Sequence, residues 1–321
     1  MAQQGRALGA AMSDVEFSRL CIKVREGYTT EELEAASSES SDVAQLLAIS
    51  GAGSNAVHNV LVANFQRDGF VVMDDLLDME VVQALHIECM SHYEELQELL
   101  KNKKLSLGIG IKQGFKEIVQ RHLNRFEIPY KMDSYSINAA ITGCKPLMEA
   151  VRAILGDDCH IVNKSLVLSL PGAIDQAWHV DGGHLSITED LPCHCLNVFL
   201  PLVDVQLEDG PTELRLGSQW LTRDLKMQYM RAFLTKKLRG TEAPCLKRGS
   251  ALLFDYRTLH RGLANTSSRP RPVLVYTFAK PTFKDMLNFP HYTIWGPPAE
   301  SEQELARQDL PYPPPSEAND K

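Results

Sequence analysis

The sequence predicts an α+β protein in which helices come first and a β-barrel or sandwich after them carries the functional site. Three observations predict it. Val82, Leu85, Cys89, Tyr93, Leu96 and Leu100 recur at spacings of three and four, the stripe of a long helix packed on one face. Beyond Gly156 the pattern changes to short apolar runs rich in β-branched and aromatic residues, separated by glycine and proline turns. Into one of those runs falls Gln176-Ala-Trp-His179-Val-Asp181, where two metal-ligating side chains lie two residues apart and so project from one face of an extended chain.

Taken in order, residues 1–55 form an N-terminal appendage, with a short amphipathic segment at Val15–Val24, a polar run at Ser37–Asp42 and a small-residue linker at Ser50–Ser54. A helical pattern over Ala56–Arg67 leads to a strand at Gly69–Asp74. Asp78 is placed as the N-cap of the long helix, and Lys101, Lys103 and Lys104 lie at its end, where the dipole favours cations. Residues 105–138 have weak periodicity and glycines at 108, 110 and 114. On a helix, Arg121 and Arg125 would share a face and receive an acidic substrate group, although a solvated basic face accounts for the same pair. A second helix runs from Lys145 to Leu155 and ends at Gly156. Strands follow at His160–Leu170, Gln176–Asp181, Cys195–Val203, Thr212–Leu216, Ala251–Asp255 and Val273–Ala279, interrupted by a helical insertion at Gln219–Arg239. The domain spans 56–298, and the proline-rich stretch within 299–321 reads as a flexible tail.

Composition sets outer bounds. Against 33 basic residues stand 41 acidic ones, a net charge of −8, which disfavours tracking a phosphate backbone and excludes nucleic acid as a general partner. No apolar run approaches the roughly 20 residues of a membrane helix. The first residues lack the apolar core of a signal peptide, and the chain does not end in a peroxisomal tripeptide. Seven scattered cysteines, an odd number in a large chain, read as reduced thiols, so a cytoplasmic setting is expected.

One imidazole and one carboxylate leave a tightly held metal short of ligands. His260, after an apolar strand and before a glycine turn, best completes the set from a separate part of the chain. Two histidines and one carboxylate on one face of an octahedron leave three open positions, which suits ferrous iron binding a chelating cosubstrate and oxygen. Zinc more often takes a closed tetrahedral shell, or three ligands and water. Arg271, eleven residues after His260 at the start of an apolar strand, supplies a permanent cation able to pair bidentately with the distal carboxylate of 2-oxoglutarate. Arg269 has the same parity, but Pro270 and the Asn265–Ser268 cluster place it in the preceding turn. His184 is a candidate substrate contact, with a loop histidine as the plain alternative. Asn197 and Thr212 stand within possible reach of a cosubstrate, and Trp178 faces away as a packing residue. Cys193-His194-Cys195 has no second pair at zinc-site spacing and reads as strand-end packing.

These residues carry a resemblance from about Phe65 to Gly296 to the phytanoyl-CoA dioxygenase family of non-haem iron, 2-oxoglutarate-dependent oxygenases. Phe65-Gln-Arg-Asp-Gly-Phe-Val-Val resembles its opening segment and Gln176-x-x-His179-x-Asp181 its metal strand. Gly210-Pro-Thr-Glu-Leu-Arg-Leu-Gly-Ser218 resembles its mid-barrel turn, and His260-x4-Asn265-x5-Arg271 its closing element. Leu216 and Gln219 depart from the proline and histidine the family carries there. The resemblance implies a double-stranded β-helix, a cupin-like jelly-roll with flanking N-terminal helices. It implies His179, Asp181 and His260 as ligands, Gln176 as a residue that orients the cosubstrate or the substrate, and the cosubstrates 2-oxoglutarate and O2 with ascorbate as an accessory reductant. Asp181, where halogenating relatives have a small residue, implies oxygenation, most concretely hydroxylation of a small organic substrate, for which Arg121 and Arg125 point to an anionic molecule. A metal-dependent barrel enzyme without redox chemistry, and a sensor that binds without turnover, remain the competing classes.

Overall fold

The computed structural model describes residues 56–130, 139, 142–186, 189–224, 240–284, 290 and 292–296. The appendage expected at 1–55, residues 225–239 of the expected insertion and the tail at 299–321 lie outside the described residues.

Helix α1 (Ala56–Asp68) turns at Gly69 into strand β1 (Phe70–Met73). Gly69 has φ +84°, a left-handed conformation in which a side chain would also press on Gln219 and Thr258, so the turn needs glycine. Helix α2 (Met79–Asn102) buries Val82, Leu85, Cys89, Leu96 and Leu100, five residues of the expected stripe. Asp78 holds the N-cap position in extended geometry, but its side chain makes no capping hydrogen bond. Helix α3 (Lys145–Leu155) carries proline in its first turn and ends at Gly156, φ +101°.

The strands β2 (Val119–His122), β3 (Arg125–Pro129), β4 (His160–Ser169), β5 (Cys195–Pro201), β8 (Ala251–Asp255) and β10 (Arg271–Ala279) join β1 in a seven-stranded sheet. Its order is β1-β8-β5-β10-β4-β3-β2, antiparallel throughout. A smaller sheet, β7-β6-β9, is built from β6 (Thr212–Arg215), β7 (Thr241–Glu242) and β9 (His260–Gly262).

Alternation along the large sheet divides its faces. Leu166 and Leu168 on β4, Leu196, Val198 and Leu200 on β5, and Leu274, Tyr276 and Phe278 on β10 enter one core with the buried faces of α2 and α3. Fully burying such a side chain stabilises the fold by roughly 1.5–3 kcal/mol. The intervening residues, Asn163, Ser165 and Val167, Asn197 and Phe199, and Arg271, Val275 and Thr277, line a cavity on the opposite face. Phe70, Leu214, Leu246, Leu252 and Phe254 form a second apolar cluster that joins the two sheets.

Two expectations are corrected. Arg121 and Arg125 share no helix face: they lie on β2 and β3 of a hairpin whose register shifts between Gln120 and His122, which makes Arg121 the residue at a bulge. Gln176–Asp181 is extended but is not a ladder strand. It meets the three-residue β9 in a single bridge, His179 to His260, with one further bond from Gln176 N–H to Gly262 O at 2.9 Å. The described start of the Gln219–Arg239 insertion is helical in the tight 3-10 form, at Ser218–Trp220 and Thr222–Asp224. Among the described residues no helix is long and apolar enough to cross a membrane, and Cys89, Cys144, Cys159, Cys193, Cys195 and Cys245 are free thiols.

Candidate metal centre

The bridge between the 176–181 segment and β9 brings the first two histidines together. His179 N–H donates to His260 O and His260 N–H to His179 O, at 3.0 and 2.9 Å, and the ring centroids stand 4.4 Å apart. Each imidazole has its Nδ1 2.9 Å from a backbone carbonyl, of Ala177 for His179 and of Thr258 for His260. A carbonyl can only accept, so Nδ1 carries the hydrogen and each Nε2 presents a lone pair. Both lone pairs face Asp181: His179 Nε2 lies 3.8 Å from Oδ1 and His260 Nε2 3.7 Å from Oδ2. Among the described residues this is the one group of three such side chains able to hold a metal ion, with ligand atoms all within 4.8 Å. Burial pushes the His260 imidazole down to about 4, against the opposing pull of Asp181, so the ring is neutral as a ligand must be.

Asp181 is oriented from the large sheet. Asn197 Nδ2 donates to its Oδ2 at 2.6 Å, and Thr277 Oγ1, opposite Asn197 in the β5–β10 register, donates to Asn197 Oδ1 at 2.8 Å. Backbone bonds from Asp181 N–H and Gly182 N–H to Tyr256 O fix the turn after the ligand.

The cavity, about 370 Å³, runs from this triad to two arginines. Arg271 on β10 and Arg125 on β3 both pair with Ser169 of the intervening β4, so their side chains leave the same face one strand apart on either side. They are only 3% and 2% exposed, and the Nε of each, like the Ser165 and Ser169 hydroxyls, is buried without a hydrogen-bond partner. Burial and the neighbouring Arg125 push the Arg271 guanidinium down to about 9, and burial pushes Arg125 down to about 10. Arg269, the sequence competitor, pairs in the turn with Asp209, at 2.6 Å. Buried cations with donors to spare demand an anion.

The other expected residues divide. Gln176 lines the cavity and accepts the Gly262 N–H at 3.0 Å. A Cβ on Gly262 would stand 2.5 Å from Arg125 Nη1 and 2.7 Å from Gln176 Oε1, so glycine admits both side chains. Arg121 lines the cavity at the hairpin, its Nε donating to Glu127 at 2.6 Å. Thr212 also lines it. His184 does not; its Nε2 meets Thr222 Oγ1 at 3.1 Å, away from the cavity lining. Trp178 lies between the guanidinium groups of Arg215 and Arg261, 4.5 and 4.9 Å from its ring. Sequence reasoning missed Thr277, Ser165 and Ser169. The signal for them is polar residues at alternate positions of strands whose other face is apolar.

Comparison with known proteins places this geometry. The family model described as phytanoyl-CoA dioxygenase (PhyH) matches residues 65–273. An ectoine dioxygenase of Halomonas elongata is 29% identical over 232 residues, which cover 64% of this chain and 65% of the relative's length. Among solved structures, EctD from S. alaskensis superposes with TM-score 0.55 at 19% identity over 76% of this chain and 85% of that one. HygX from Streptomyces hygroscopicus, crystallised with nickel and 2-oxoglutarate, gives 0.51 at 14% identity over 72% and 89%. These structural likenesses are likenesses of fold, and with the two antiparallel sheets they establish the jelly-roll core.

Proposed function

The chain belongs to the phytanoyl-CoA dioxygenase family, and on that premise we propose that it is an Fe(II)- and 2-oxoglutarate-dependent oxygenase that hydroxylates a small organic molecule. One observation carries the reading: a His-Asp-His triad and a buried, partnerless Arg271 Nε occupy one cavity. Two imidazoles and a carboxylate are a donor set for ferrous iron. The unpaired guanidinium donors at the far end fit a carboxylate, so the residues present suit both the metal and the cosubstrate.

When bound, iron and 2-oxoglutarate supply the oxidation, in which O2 is consumed, the oxo acid becomes succinate and CO2, and one oxygen atom enters a substrate C–H bond. The protein's part is placement. Hydrogen bonds to Ala177 O and Thr258 O hold the two Nε2 atoms toward Asp181, and Asn197 fixes the carboxylate between them. Arg271, with Arg125 beside it, receives the distal carboxylate, and Gln176 lines the same wall. Phe199 and Val275 give the cavity apolar wall that excludes water. His184, bonded to Thr222 and outside the cavity lining, is read as a packing residue rather than a substrate contact. The free thiols suit a cytoplasmic setting.

The test is anaerobic addition of 2-oxoglutarate to the Fe(II) protein, followed by air. The reading expects a weak visible metal-to-ligand charge-transfer band and then succinate. Absence of the band from fully metal-loaded protein sinks the assignment, and a band that never leads to succinate would identify a sensor instead.

A further inference from the structure

The charges that line the cavity do not cancel, and their surplus names the class of substrate. Among the described residues, leaving histidines aside, three arginines (Arg121, Arg125, Arg271) stand against two carboxylates (Glu127, Asp181) in the cavity lining. The carboxylates nearest to the buried arginines outside the cavity are already engaged: Asp175 faces Arg261 at 3.4 Å and Asp209 faces Arg269 at 2.6 Å. On the function proposed above, a divalent metal and a dianionic cosubstrate cancel each other. One positive charge then remains in a part-buried space, where water compensates it poorly.

The surplus has a location. At the metal end, Asp181 and one carboxylate of the cosubstrate balance the ion, while at the other end two guanidinium groups share one distal carboxylate. Arg125, 2% exposed with its Nε unpartnered, is the cation left over. It lies on β3 of the hairpin whose other strand carries Arg121 at its bulge. There the Glu127 carboxylate takes the Arg121 Nε at 2.6 Å and fixes the plane of that guanidinium within the cavity lining.

We propose that the substrate carries a single anionic group, a carboxylate, that docks at the β2–β3 hairpin against Arg121 beside Arg125, which leaves its apolar part toward the triad. Glu127 acts as a positioning residue for Arg121 and disfavours a second anionic group. A neutral or cationic molecule of the same shape leaves the surplus charge unmet.

The experiment uses the full chain loaded with Mn(II) and saturating 2-oxoglutarate, with butyrate and butyramide as matched probes. The paramagnetic relaxation of the probe protons reads approach to the metal. Butyrate is expected to bind at least about tenfold more tightly than butyramide, the value of one charge-assisted hydrogen bond. Arg121→Gln should erase that preference while the affinity for 2-oxoglutarate, measured separately, stays at wild-type level. Equal binding of the two probes, a butyrate preference that survives in Arg121→Gln, or one that vanishes as 2-oxoglutarate is raised, overturns the proposal. Failure of 2-oxoglutarate to bind at all instead overturns the function on which it rests.

Discussion

The two ends of the cavity are built on opposite electrostatic terms. At the triad, every polar atom that is not aimed at the ion position has a partner: the Nδ1 atoms face backbone carbonyls, and Asp181 Oδ2 accepts from Asn197. At the arginine end, two cations are buried side by side and their Nε atoms have none. The metal end is therefore organised before its ligand arrives, whereas the arginine end carries an unmet desolvation cost that only an anion relieves. Preorganisation and stored demand are two ways to favour binding, and each predicts a different response when it is removed.

The largest break should come at the triad. Asp181→Ala removes a ligand that stands between both Nε2 atoms, so Fe(II) affinity should fall by more than the roughly 10–100-fold typical of outer-sphere changes. Anaerobic competition with a chromophoric chelator measures this. Iron bound at wild-type strength would show that the ion sits elsewhere.

The other end should behave in reverse. Arg271→Met should weaken 2-oxoglutarate binding by about 2–5 kcal/mol, the usual cost of truncating one partner of a buried charged pair. The same change should raise the stability of the ligand-free protein by about 1 kcal/mol or more, because an unpaired buried cation is replaced by an apolar chain of similar length. Urea unfolding with and without 2-oxoglutarate separates the two effects. A ligand-free variant less stable than wild type would mean that Arg271 is already compensated.

Between these lies Asn197, which belongs to the metal end although it sits on the large sheet. Asn197→Ala should cost roughly 10–100-fold in Fe(II) affinity by freeing the Asp181 carboxylate, with 2-oxoglutarate affinity of the metal-free protein unchanged. Equal losses for both ligands would erase the distinction between the ends.

The metal end was far more legible in the sequence than the arginine end, for a physical reason. His179 and Asp181 are two apart in an extended segment, His260 abuts a strand, and local geometry alone directs such residues. Arg271 was legible as a cation at a strand start. Arg125 was legible as a candidate anion contact, but its place beside Arg271 was not, because its burial depends on facing Ser169 across β4 and on the space left by Gly262, both set by tertiary contact. The hairpin itself was hidden since the bulge at Arg121 breaks the alternation that marks a strand, and β9 escaped because three residues are too few to show a period. The other large-sheet strands, by contrast, were visible as apolar runs, with boundaries shifted by no more than a residue or two.

The finest test uses the strand that serves both ends. Strand β10 carries Arg271 at its start and Thr277 six residues on, with both side chains on the cavity face. Thr277→Val keeps the β-branched shape and hence the strand, but it removes the hydroxyl that donates to Asn197 Oδ1. Asn197 then loses one of two bonds that fix its amide, while its own bond to Asp181 can still form. The expected cost is that of a single neutral hydrogen bond, about 0.5–1.5 kcal/mol, so Fe(II) affinity should fall by no more than about tenfold. The affinity of the metal-free protein for 2-oxoglutarate should not move, since nothing at Arg271 or Arg125 has changed. A loss as large as that of Asn197→Ala would mean that Asn197 cannot hold Asp181 without Thr277, and that the preorganisation of the metal end depends on the whole Thr277–Asn197–Asp181 chain rather than on its last bond.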